Sequence, residues 1–183
     1  DSVYDAFVEK VTEVIKGYIP SDPTLAETKL GPMSSAEARE DLDELVQDAI
    51  SKGATVLTGG GRSDANGFFY EPTLLANVTP EMRAFQEELF GPAGVVYRVA
   101  NEEEALTLAN NSPFGLSSSI FTTDIARAEK LATRLEAGMV WINSTSRSAP
   151  DIPFGGVKAS GVGRELSSFG FNEFANKKLV RIP

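Results

Sequence analysis

The groups able to do chemistry in this sequence are few, and they are carboxylates, amines and hydroxyls. Cysteine and histidine are absent from all 183 residues. Within the chain, that excludes disulfides, Cys/His zinc sites, thiol nucleophiles and any Ser-His-Asp or Cys-His arrangement. Glu87 and Glu88 stand side by side. Adjacent residues of a helix point about 100° apart, so the pair makes a poor acid–base couple. It reads either as a solvated helix face or as a ligand-binding carboxylate kept at a helix end, where acids oppose the dipole. Lys158, after Gly155-Gly156-Val157, reads as a surface or phosphate-contacting lysine rather than an activated amine. Gly59-Gly60-Gly61 lacks the Lys-Ser/Thr of a phosphate loop. Gly161-Val162-Gly163 has Leu166 where a dinucleotide fingerprint needs its third glycine. Both read as turns.

These groups need elements to position them. Tyr4, Phe7, Val8, Val11, Ile15 and Tyr18 recur at helical spacing, with Ser2 and Asp5 as capping groups. A second helix starts at Ser34, with Glu37 reaching back, and buries Leu42, Leu45, Val46, Ala49 and Ile50 before Gly53. Residues 54–57 form a strand and 67–78 an extended stretch. Thr79-Pro80 opens a helix with Met82, Phe85 and Leu89 on one side, stopped by Gly91-Pro92. Strands at 94–99, 117–121 and 139–142 then alternate with helices capped by Asn101 and Asp124, the latter running to Glu136 with Ile125 among its inward residues. Strands and helices in alternation predict an α/β fold, a parallel sheet with helices on both faces. Residues 143–163 are Ser-, Pro- and Gly-rich without a period, longer than structureless loops usually are unless they serve function. Residues 177–182 alternate as a terminal strand able to pair with another sheet.

The chain is ordinary in its apolar content, 42%, but carries a net charge of −9, which disfavours nucleic acid and anionic membrane as partners. The charge is uneven. Residues 143–183 hold six basic groups against three acids, so a small anionic ligand would prefer that end. No apolar run has the length of a membrane span, and a cytoplasmic setting is expected. The phenylalanines Phe154, Phe169, Phe171 and Phe174 read as packing residues rather than a base-stacking platform.

Three separated segments carry a family resemblance: Glu87-Glu88-Leu89-Phe90-Gly91-Pro92, Phe114-Gly115-Leu116, and residues 153–165 from Pro153-Phe154-Gly155-Gly156 to Gly163-Arg164-Glu165. With Gly31-Pro32-Met33-Ser34, Glu71-Pro72-Thr73 and Trp141-Ile142-Asn143 in order, the chain resembles the C-terminal, catalytic-domain part of the NAD(P)-dependent aldehyde dehydrogenase superfamily. In style, the third segment is similar to bacterial succinate-semialdehyde dehydrogenases. The resemblance implies aldehyde oxidation through a Cys thiolate, hydride transfer to NAD or NADP, and hydrolysis of a thioester by Glu-activated water. It implies that Glu88 binds the nicotinamide ribose, since a carboxylate accepts two hydrogen bonds from a diol. It also implies that Phe90 and Leu116 flank the nicotinamide, and that Phe154 and Ser148 contact the substrate. Arg147 reads either as a partner for a carboxylated aldehyde or as a solvated loop charge.

The resemblance divides the chain into a catalytic-domain body at 1–142, an active-site loop at 143–163 and a C-terminal arm at 164–183. The arm would add a strand across the interface of a homo-oligomer. The family's nucleophilic Cys, general-base Glu and most of its cofactor fold match no residue here, with the Cys expected shortly before Asp1. No catalytic residue and no metal site are therefore expected in the chain, which would be inactive alone. The alternatives are a non-catalytic oligomerisation or regulatory module of the same fold, or an aldehyde dehydrogenase of different specificity.

Overall fold

The computed structural model describes residues 1–63 and 66–183, which form two compact units, 1–100 and 101–183.

In the first unit, α1 (Tyr4–Lys16) lays Tyr4, Val8, Val11 and Ile15 on Leu74, Ala76 and Val96. Neither Ser2 nor Asp5 caps it; Val3 is the N-cap, and Asp5 pairs with Arg98, whose guanidinium lies 4.0 Å over the Tyr4 ring. The cap of α2 (Ala36–Ser51) is Ser35, one residue later than the spacing to Glu37 suggested; its Oγ accepts from Ala38 N at 3.0 Å. Leu42, Leu45, Val46 and Ala49 are buried as expected, and Gly53 turns the chain out at φ +101°. β1 (Thr55–Thr58), β2 (Thr73–Ala76) and β3 (Ala93–Val96) form one sheet in that order. β2 runs parallel to β3, and β1 antiparallel to β2. The helix expected from Thr79 shrinks to one turn, α3 (Arg83–Gln86), because residues 79–82 close a separate turn with Met82 N on Thr79 O at 3.0 Å.

In the second unit, α4 (Glu102–Asn110) is capped by Asn101, and β4 (Phe114–Gly115) follows. β5 (Ser117–Ile120) and β6 (Met139–Ile142) pair in parallel through the crossover helix α5 (Ile125–Ala132), capped by Asp124. This helix stops short of Glu136 because the Asn110 amide takes the next backbone groups: its Nδ2 donates to Arg134 O (2.8 Å) and its Oδ1 accepts from Glu136 N (2.9 Å). Ile125 faces outward, 48% exposed, leaving Ala128 as the buried residue of α5. β7 (Val157–Lys158) pairs antiparallel with β4, and α6 (Ser167–Glu173) ends the regular structure. The α/β class holds, with parallel pairing in two sheets and a third, two-residue antiparallel pair rather than one continuous sheet. Residues 177–183 are exposed and form no strand within the chain, since a strand needs an edge to pair with. No helix among the described residues is long and apolar enough to cross a membrane.

Candidate functional site

The first unit contributes the segment after α3. Arg83 grips Glu87 with two bonds, Nε to Oε1 at 2.7 Å and Nη2 to Oε2 at 2.9 Å. The guanidinium holds the Glu87 carboxyl below its usual range. Behind it, Arg83 N donates to Asp48 Oδ2 on α2 (2.9 Å), and Asp48 pairs with Lys52. Glu87 is already in extended conformation, so the carboxylates do not sit on a helix end; a one-turn helix offers no appreciable dipole for them to oppose. Leu89 packs on the core cluster while its neighbours Glu88 and Phe90 are exposed, Phe90 to 76%. Glu88 has no hydrogen-bond or ion-pair partner among the described residues. The two adjacent acids thus differ: one is an anchor, the other a free bidentate acceptor.

The second unit contributes a cleft of about 310 Å³. Leu116 and Phe154 line it together, with Ser160, Arg164 and Glu165. Phe154 is held by a two-bond bridge to Glu165, N to O at 2.9 Å and O to N at 2.8 Å. Arg164 Nη1 donates to the carbonyls of Gly156 (2.9 Å) and Gly163 (2.6 Å), tying the turn to the cleft floor. Ser148 does not line this cleft; it is exposed in the stretch that precedes it, as is Arg147. Asn143 opens that stretch at φ +54°, its amide bonded both ways to the Thr122 backbone (2.9 and 2.8 Å). Asn143, Lys158, Leu166 and Ser167 all have left-handed φ, a concentration of strain typical of functional segments. Gly59, Gly60, Gly161 and Gly163 lie at positive φ, as turns require. Arg164, Glu165 and Ser160 were not singled out as site residues from sequence. Their contacts close only when the loop folds back on itself.

Taken unit by unit, the exposed groups suit a dinucleotide in chemistry: in the first, Glu88 has both oxygens available to vicinal hydroxyls and Phe90 is exposed apolar surface; in the second, Leu116 offers apolar surface on the cleft wall. No group of His, Cys, Asp or Glu among the described residues could hold a metal ion.

The first unit thus presents a free carboxylate after its single-turn helix, and the second a glycine-built cleft. Residues 1–180 match the aldehyde dehydrogenase family, and the chain belongs to it. It is 55% identical over 181 residues to a succinate-semialdehyde dehydrogenase [NADP(+)] of Deinococcus radiodurans, covering 99% of this chain and 38% of that one. It is 45% identical over 180 residues to succinate semialdehyde dehydrogenase [NAD(P)+] Sad of Escherichia coli, covering 98% and 39%. A crystal structure of succinic semialdehyde dehydrogenase from Streptococcus pyogenes in complex with NADP+ superposes with a TM-score of 0.95 at 43% identity, over 100% of this chain and 40% of that one. The chain thus spans about two fifths of the length of these relatives.

Proposed function

We propose that this chain forms the nicotinamide- and substrate-contacting part of an NAD(P)+-dependent dehydrogenase that oxidises succinate semialdehyde to the dicarboxylate. The observation that carries the reading is Glu88: an exposed carboxylate with no partner, beside a Glu87 fully engaged by Arg83. The names of the relatives support the substrate. A bound nicotinamide would supply the acceptor for a hydride leaving the substrate carbon. Glu88 accepts the ribose hydroxyls, Phe90 and Leu116 shield the ring, Phe154 packs on the substrate chain, and Ser148 donates to its carboxylate. The thiolate that opens the reaction belongs outside these residues, which hold no cysteine. A cytoplasmic setting keeps such a thiol reduced, and residues 177–183 add a strand between subunits of a homo-oligomer.

The test is made in a protein joining these residues to the segment that bears the thiol, by following nicotinamide reduction with succinate semialdehyde. Glu88→Gln is expected to weaken cofactor binding about tenfold. Ser148→Ala is expected to raise KM for succinate semialdehyde about fivefold while leaving KM for an uncharged aldehyde of equal length unchanged. Equal effects on both aldehydes would remove the carboxylate contact. Turnover by the 183-residue chain alone would overturn the whole assignment.

A further inference from the structure

The segment leading to Leu116 is joined to the one leaving Phe154 by two residue pairs, Phe114↔Lys158 and Gly115↔Val157. So short a ladder does not hold its own register. Lys158 supplies what it lacks. Its Nζ donates to the carbonyl oxygens of Asn110 (2.7 Å) and Ser112 (3.0 Å) and lies 2.7 Å from Glu136 Oε2. Three acceptors use all three ammonium protons, so none is left for a phosphate, and the side chain is only 24% exposed. Asn110 is the last residue of α4, where carbonyls lack helical partners and a cation is favoured. The Asn110 side chain in turn bonds the backbone of Arg134 and Glu136, and the Glu136 carboxylate returns to Lys158. The three residues close a ring that joins the end of α4, the turn after α5 and β7. Lys158 itself sits at φ +55°, a conformation a lysine keeps only where its surroundings impose it.

We propose that Lys158 is a positioning residue: through this ring it sets the register of β4 on β7, and with it the spacing of the Leu116 and Phe154 walls of the cleft. That the spacing serves the nicotinamide and the substrate rests on the function proposed above; the register itself needs no ligand. Two amides report on it directly, Gly115 N on Ser160 Oγ (3.0 Å) and Ala159 N on Pro113 O (2.9 Å).

Hydrogen exchange is measured on the protein as expressed. Lys158→Met is expected to speed exchange at Gly115 and Ala159 about tenfold while leaving Ala128 in α5 unchanged, and Lys158→Arg to recover part of the protection. In the active enzyme, Lys158→Met raises KM for the aldehyde about fivefold with kcat changed less than about twofold. Should Lys158→Met not fold, Glu136→Gln opens the same ring and is read at the same two amides. Unchanged exchange at Gly115 and Ala159, or equal acceleration at Ala128, overturns the register role. A protein that shows the amide effect but oxidises no aldehyde keeps the register role and overturns the functional reading instead.

Discussion

Residues 1–100 and 101–183 are similar in size but are held together by different means. Of the 16 buried apolar side chains among the described residues, 13 lie in the first unit, from Leu42 to Val96; the second has Leu106, Ala128 and Met139. Side-chain burial stabilises the first, and the site segment at 87–92 hangs from that core through Leu89 and the Arg83–Glu87 pair. The second relies on backbone lying against backbone. A Cβ on Gly138 would stand 2.0 Å from Gly155 O, and one on Gly156 would stand 2.6 Å from the Ser160 Cβ. The lesson is that the first unit adds a side-chain core to close main-chain contacts such as Gly59 on Pro72 O, whereas the second, with few buried side chains, leans on the close main-chain contacts and on anchors such as Lys158.

Substitutions can break that contrast or sharpen it. Gly138→Ala is expected to cost about 3 kcal/mol or more, because both faces of the contact are main chain and neither can rotate away. Urea unfolding followed through Trp141, the single tryptophan, reads the second unit; an unchanged midpoint would end the comparison. Tyr70→Phe comes next, at about 1 kcal/mol. The Tyr70 hydroxyl, 1% exposed as a residue, donates to Asp43 Oδ1 at 3.1 Å, and burial together with Asp43 pushes it far above the usual phenol range. Its loss leaves Asp43 still paired with Arg62 at 2.8 Å, which limits the damage; circular dichroism during denaturation gives the value.

Arg83→Met is the smallest, since both partners are nearly half exposed and screened by solvent. Its signature is in pH. Glu87 titrates lower folded than its ordinary 4.5, so the pair's contribution is complete above that value and fades as pH falls through the folded one. In Arg83→Met that acid-side loss is expected to vanish. Stability measured at a series of pH values in both proteins decides it, and parallel curves would show that the pair adds nothing.

Much of this was readable from local pattern. Asn101 and Asp124 cap their helices through Glu104 N (2.9 Å) and Arg127 N (3.0 Å), and Gly53 closes α2, because capping is decided within four residues. The crossover β5–α5–β6 followed from alternation of strand and helix signals. What escaped depends on distant partners. The helix after Thr79 failed because its apolar spacing was answered by turns and by Asp48, 35 residues away. The antiparallel pairing of β1 leaves no mark in four-residue strands, and β2 is buried throughout, without alternation. The family segments point to Glu88, Leu116 and Phe154, but nothing local shows that Glu88 is unpartnered and Glu87 engaged; that difference is made by Arg83. The two carbonyl partners of Lys158 lie 46 and 48 residues away.

The meeting of Gly138 with Gly155 has a consequence for how such a pocket can change over generations. At that point there is no volume for a side chain of any kind, so substitution there is closed whatever the selective pressure. Positions 148 and 154 stand under no such restriction. The exposed Ser148 and the cleft-lining Phe154 can change by single replacements around a point that stays fixed.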